Sequence, residues 1–219
     1  MAAFRKQRPI VKIGLWVLVA MIVVGLLGTT VAWYLDDARK IKPSENSSTA
    51  SSAETEKKED FLSLELKKQE ELRKQFEGLR ASDPDDLAVL TGSARVELRL
   101  GALYLQKDNK EKGMEAFQRA VEFYQQVLEQ QEDPDLRLEL SSAYQYMKDY
   151  EKSQEQLEMV LDQNPKNIKA LTQLGMLLEE KEDWKGALEI WEQVASSDDV
   201  EELTKEFAKS RIEEIKKKN

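Results

Sequence analysis

Leu140-Ser141-Ser142-Ala143-Tyr144 and Leu174-Gly175-Met176-Leu177-Leu178 open two stretches that run in step as far as Val160 and Val194. At one fixed offset of 34 residues, Leu140 matches Leu174, Ser141 matches Gly175 and Tyr144 matches Leu178. Asp149-Tyr150 matches Asp183-Trp184, Ser153 matches Ala187, Leu157 matches Trp191, and Val160 matches Val194. The residue sizes have a physical reading. Two helices that cross closely need small side chains at the crossing, here Ser141 with Ser153 and Gly175 with Ala187. Leu140, Tyr144 and Leu157, or Leu174, Leu178 and Trp191, are large where the gap beside the crossing must be filled.

The spacing, the small crossing residues and the turns at Lys148-Asp149 and Glu182-Asp183 resemble the tetratricopeptide repeat, a helix–turn–helix unit with a 34-residue period. The clear repeats are residues 134–167 and 168–199. Arg137 departs from the pattern, standing where the family carries a large apolar residue. Valine also replaces the family's late alanine at Val160 and Val194. A looser copy, about 94–133, begins Leu100-Gly101-x-x-Tyr104 and ends Ala120-x-x-x-Tyr124-x-x-Val127, with about seven residues too many between the halves. Helices of roughly 84–107 and 110–131 would absorb the excess.

Outside the repeats the apolar spacing stays helical from Glu59 onward, and no segment alternates like a strand. Pro84, Pro134 and Pro165 follow Asp83, Asp133 and Asn164, each pair marking a joint between helices. Val200, Leu203, Phe207, Ala208, Ile212 and Ile215 stripe a capping helix, about 200–217, with Lys216–Lys218 at its negative end. Phe61, Leu64, Leu72, Phe76 and Leu79 stripe another helix, which either covers the first pair or forms a coiled-coil dimer. Its heptad breaks at Glu65, Lys68 and Gln69.

The N-terminal part is different in kind. Residues 1–12 are a basic head, and Ile13–Leu35 is an uncharged run of 23 residues. As a helix this run is roughly 34 Å long, enough to cross a hydrocarbon core. Trp16 lies near one end of it and Trp33-Tyr34 near the other, where interfaces favour such rings. The run is longer than a signal-peptide core, although Thr30-Val31-Ala32 has the form of a cleavage site. A short basic head placed in the cytoplasm leaves the large domain outside the cell membrane. Residues 36–58 read as a flexible linker, since Pro43–Lys57 is rich in serine and threonine and has alanine as its only apolar type. The expected architecture is therefore all-α: one transmembrane helix, a linker, and antiparallel helix pairs in 59–219. The resemblance implies that these pairs stack as a short right-handed superhelix.

Composition narrows the function. The chain of 219 residues has no cysteine and no histidine, which excludes disulfides, zinc-thiolate sites and histidine bases. Seven of its 33 basic residues but only two of its 42 acidic ones lie in 1–42, leaving the remainder at a net −14. Such a domain repels phosphate backbones, so nucleic acid is not an expected partner. No phosphate loop, dinucleotide fingerprint, nucleophile elbow or metalloprotease motif occurs. Neither an enzyme nor a cofactor is expected.

What the resemblance implies is a protein-binding groove lined by the first helix of each pair. Its positions are Leu138, Glu139, Ser142, Gln145 and Tyr146 from one repeat, and Lys169, Thr172, Gln173, Met176 and Glu179 from the next. The looser copy adds Arg95, Leu98, Arg99 and Ala102. Leu138, Ser142 and Thr172 stand where chaperone-binding members carry a carboxylate clamp, so a C-terminal carboxylate is not the expected ligand. A helix or extended peptide suits a mixed groove better. Anchored bacterial proteins of this build are adaptors or scaffolds in secretion, envelope assembly or cell division. The alternatives are a self-associating spacer, which is a homo-oligomer, or a cytoplasm-facing assembly factor if the topology is inverted.

Overall fold

The computed structural model describes residues 50–198 and 200–218, and side chains from Glu59 onward. The basic head, the expected transmembrane run and residues 36–49 of the linker lie outside them. Among the described residues no helix is long and apolar enough to cross a membrane. The chain divides into two units, 1–60 and 61–219. Helices account for nearly all of the described part: α1 (Ala50–Ser82), α2 (Leu87–Gln106), α3 (Lys110–Gln130), α4 (Pro134–Tyr146), α5 (Tyr150–Gln163), α6 (Ile168–Glu180), α7 (Trp184–Ser196) and α8 (Glu202–Lys218).

The first helix begins inside the stretch expected to be a flexible linker. From Ala53 the sequence turns to alanine, glutamate and lysine, all strong helix formers. Extending an existing helix backwards adds one bond per residue without a new nucleus.

Six helices start on an Asp or Asn whose carbonyl or carboxylate oxygen takes a first-turn N–H. These caps are Asp86, Asn109, Asp133, Asp149, Asn167 and Asp183. Of the three prolines expected at helix joints, only Pro134 sits in a first turn. Pro84 and Pro165 occupy the turns between helices, and the caps follow at Asp86 and Asn167. The turn inside each pair is the same structure three times. Asp108, Lys148 and Glu182 adopt φ of 55°, 60° and 58°. The next residue's N–H then reaches back to Tyr104, Tyr144 or Leu178 at 2.8, 2.9 and 2.8 Å. That left-handed residue followed by a six-to-one bond closes the helix end.

Counting from this turn corrects the register of the first pair. Gly101, Ser141 and Gly175 each stand seven residues before the left-handed residue. Twelve residues after them come Gly113, Ser153 and Ala187; sixteen after come Phe117, Leu157 and Trp191; nineteen after come Ala120, Val160 and Val194. All nine are buried. Phe117 and Ala120, rather than Tyr124 and Val127, are the counterparts of Leu157 and Val160. No excess lies between the halves. The extra residues extend the outer ends of both helices: α2 has 20 residues against 13 in α4, and α3 has 21 against 14 in α5.

The crossings are tight. A Cβ on Gly175 would sit 2.7 Å from Trp191 Cε2, and one on Gly101 would collide with the ring of Phe117. At the middle crossing the Ser141 and Ser153 hydroxyls share a hydrogen bond of 2.9 Å, so two buried polar groups satisfy each other. The core falls into two clusters. One joins Leu90, Ala94, Phe123, Tyr124 and Val127 of the first pair to Leu136, Leu140 and Tyr144 of α4. The other runs from Leu138 through α5, α6 and α7 to Ala208 and Ile215 on α8. The capping helix therefore seals the far end as its stripe suggested, although Leu203 is exposed.

α1 does cover the first pair, but with a different face from the apolar stripe. Lys107 donates to Ser63, Tyr104 to Glu70, and Arg73 to Glu97, so α1 lies antiparallel to α2. Phe76 alone of the stripe is inserted, its ring filling the space that a side chain at position 92 would need. Arg80 lies 4.5 Å from the Phe123 ring centre. Phe61 and Leu64 remain 63% and 68% exposed.

Candidate protein-binding face

Within the stack α2 touches α4 and α4 touches α6, an approach closer than any among α3, α5 and α7. The first helices of the pairs therefore form the inner layer, and their free faces make one continuous surface. Tyr146, at the end of α4, is the large side chain exposed on it; the ring stacks on Phe117 at 4.8 Å and an interplanar angle of 4°. Burial pushes its hydroxyl pKa up; the charge of Arg99 opposes that and the charge of Glu180 adds to it. Arg99 lies on α2 and Glu180 on α6, so charges from the first helices of both neighbouring pairs act on this tyrosine.

The other expected groove residues divide by how far the fold has committed them. Arg95 donates from Nε and Nη2 to both carboxylate oxygens of Glu139 at 2.8–3.1 Å, and Tyr124 donates to the same carboxylate at 2.8 Å. The Arg95 guanidinium and Glu139 thus bind the first pair to the second. Leu138 is 4% exposed within the larger core cluster, so it is a packing residue and not part of the surface. It sits one position from Glu139, and a step of one residue turns the side chain by about 100°.

Ser142 bonds to the Leu138 carbonyl at 3.0 Å. Lys169 pairs with Asp135 at 2.9 Å, both well exposed. Glu179 accepts from the Trp191 indole at 2.8 Å and pairs with Arg211. Leu98 and Met176 are half-buried against the two core clusters, and Ala102 is half-buried as well. Arg99, Gln145, Thr172 and Gln173 are half-buried, and none makes a side-chain hydrogen bond or ion pair among the described residues. The Gln173 Oε1 is shielded from water with no donor. Of the expected groove residues with polar side chains, those left without a side-chain hydrogen bond, an ion pair or a place against the core clusters are therefore Tyr146, Arg99, Gln145, Thr172 and Gln173.

A second concavity was not anticipated. Glu70, Arg73, Lys74 and Glu77 of α1 face Tyr104, Lys112, Glu115 and Arg119 across a space of about 380 Å³. At its base the Glu97 side chain, 4% exposed, holds Arg73 at 2.7 Å and Arg119 at 3.1 Å. One signal was present in the sequence. Leu90, Ala94, Glu97 and Gly101 follow the core spacing of α2, which places a carboxylate where an apolar side chain is normal. A charge there needs partners, and they come from 24 and 22 residues away.

The tetratricopeptide repeat model matches residues 113–174, from the second helix of the first pair to the first helix of the third. The chain is similar to that family over this segment, which carries Tyr146, Gln145, Thr172 and Gln173. Among solved structures, a crystal structure of MamA is similar at a TM-score of 0.45 and 14% identity, covering 67% of this chain and 85% of that one. A second, MamA AMB-1, aligns at a TM-score of 0.34 and 16% identity, covering 68% and 86%. No curated protein sequence matches the chain.

Proposed function

We propose that this protein is a membrane-anchored adaptor that holds a peptide or protein client on the inner face of its repeats. The observation that carries the reading is the exposed Tyr146 ring stacked on buried Phe117, with the charges of Arg99 on α2 and Glu180 on α6 acting on it. An exposed aromatic ring backed by a buried one, beside one cation and one anion, suits a short peptide with an apolar anchor and flanking charge. The anchor is the uncharged run Ile13–Leu35, with the head in the cytoplasm and the repeats on the outer side.

Photo-crosslinking tests the client face. A crosslinker replacing Tyr146 should capture a discrete partner in cells, and one replacing Met159, exposed on α5, should not. Equal capture at both positions, or none at Tyr146, sinks the reading. Protease protection tests the anchor: the repeats should be digested when the outer envelope is opened and the inner membrane is left sealed. Protection under those conditions would place them in the cytoplasm.

A further inference from the structure

Four apolar residues of α1 lie off its docked side, and they are aligned. Phe61, Leu64 and Leu79 are 63%, 68% and 37% exposed, and Leu72 is half-buried. With Lys68 and Gln75 they occupy positions 61, 64, 68, 72, 75 and 79, steps of three, four, four, three and four. This is the eleven-residue pattern, which keeps a stripe on one side of a nearly straight helix. It accounts for the failed heptad. The docked side of the helix carries Gln69, Arg73, Phe76 and Arg80, and these point about 110° away from the stripe.

We infer that this stripe is a self-association surface that pairs with the α1 of a second copy, the two helices running antiparallel. The charges choose the occupant and the direction. Lys67, Lys68 and Glu71 border or interrupt the stripe, all three are exposed, and none has an ion-pair partner among the described residues. In a parallel pair Lys68 would face the partner's Lys68, which is repulsive. In the antiparallel pair Phe61 meets the partner's Leu79, Leu64 meets the partner's Gln75, and the Lys68 stem lies along the partner's Leu72. Lys67 and Lys68 then approach the partner's Glu71, and the two-fold axis repeats that contact. The stripe spans about 27 Å.

The chain has no cysteine, so engineered thiols report on the pairing without background. Full-length Phe61→Cys and Leu79→Cys chains, differently tagged and mixed in detergent micelles, should form a Cys–Cys bond between the two tags on mild oxidation. Phe61→Cys alone should stay unbridged. A bridge in the Phe61→Cys sample alone would overturn the antiparallel arrangement. A monomer by sedimentation across the accessible concentration range would overturn the pairing itself. The substitution Glu71→Lys should weaken association by about tenfold or more, and adding Lys67→Glu and Lys68→Glu should restore it. All of these positions except Leu79 are well exposed, so unchanged helicity is expected, and a failure of the triple variant to recover would count against the charge contact.

Discussion

The first and third helix pairs solve one packing problem with helices of different length. Both cross at a glycine, Gly101 or Gly175, against which a large aromatic ring is pressed, Phe117 or Trp191. Both turn through a left-handed residue seven positions later. Yet α2 and α3 run about two turns further than α6 and α7 at their outer ends. The crossing is fixed by close contact and holds only small residues, whereas length beyond it is free as long as the added turns bury something. Here they bury Leu90, Phe123, Tyr124 and Val127 against α4, and they present Gly92 as the socket for Phe76. The extension is what gives α1 a place to dock.

If the two crossings are equivalent, emptying them should cost the same. Trp191→Ala and Phe117→Ala each remove a ring that is 0% exposed, and each should lower unfolding free energy by about 3–5 kcal/mol in urea titrations. A Phe117 variant that loses less than about 1 kcal/mol would break the equivalence, because a ring at a true crossing cannot be removed without leaving a cavity.

The next effect belongs to the first pair alone. Phe76→Ala empties the socket over Gly92 and should cost about 2–3 kcal/mol, less than a central ring because only the docking of α1 is at stake. Hydrogen exchange should quicken along α1 and at the start of α2, with α6 and α7 unchanged. Uniform loss of protection through α7 would show instead that α1 and the repeats unfold as one unit.

Most of this comparison was readable in the sequence, and the exceptions are physical. The second and third pairs were legible because a 34-residue offset aligns small with small and large with large. The first pair was misregistered because its extension is seven residues long. Seven residues are almost two full turns, so Tyr124 and Val127 lie on the same stripe as Phe117 and Ala120 with the same spacing. Periodicity cannot tell such copies apart; the left-handed turn at Asp108 can, because it counts from a fixed point. On the candidate face the helix identities were legible but commitment was not. Whether Glu139 is free depends on Arg95, 44 residues away, and whether Leu138 is surface or core depends on a neighbour's packing.

Tyr124 in that extension also gives the first pair its own response to pH. Burial, then the charge of Glu139 and the hydrogen bond to it, push the phenol well above its ordinary value of 10.0, while Arg95 opposes the shift. The native state therefore keeps a proton that the unfolded chain releases. This contribution is complete below about pH 10 and is lost as pH rises beyond it. Tyr124→Phe should cost about 1 kcal/mol at neutral pH, from the lost bond to Glu139. The difference from the parent chain should shrink and then reverse in alkaline unfolding experiments. A constant difference from pH 7 to 11 would mean that the phenol is not held neutral by the fold.

The smallest expected effect returns to the turn that the pairs share. Lys148 and Glu182 hold φ of 60° and 58°, a region where a Cβ crowds the backbone and only glycine is unstrained. Lys148→Gly and Glu182→Gly should each raise stability by up to about 1 kcal/mol, the relief of strain being partly offset by a more flexible unfolded chain. Asp108 in the first pair occupies the same conformation at 55°, but a short side chain that can bond locally tolerates it better. Asp108→Gly should therefore gain less than the other two. Equal gains at all three turns would mean that residue type at this position is indifferent, and that the left-handed conformation is imposed by the crossing next to it. A loss at Lys148 would show that its side chain, although exposed, supports the turn through contacts that outweigh the strain.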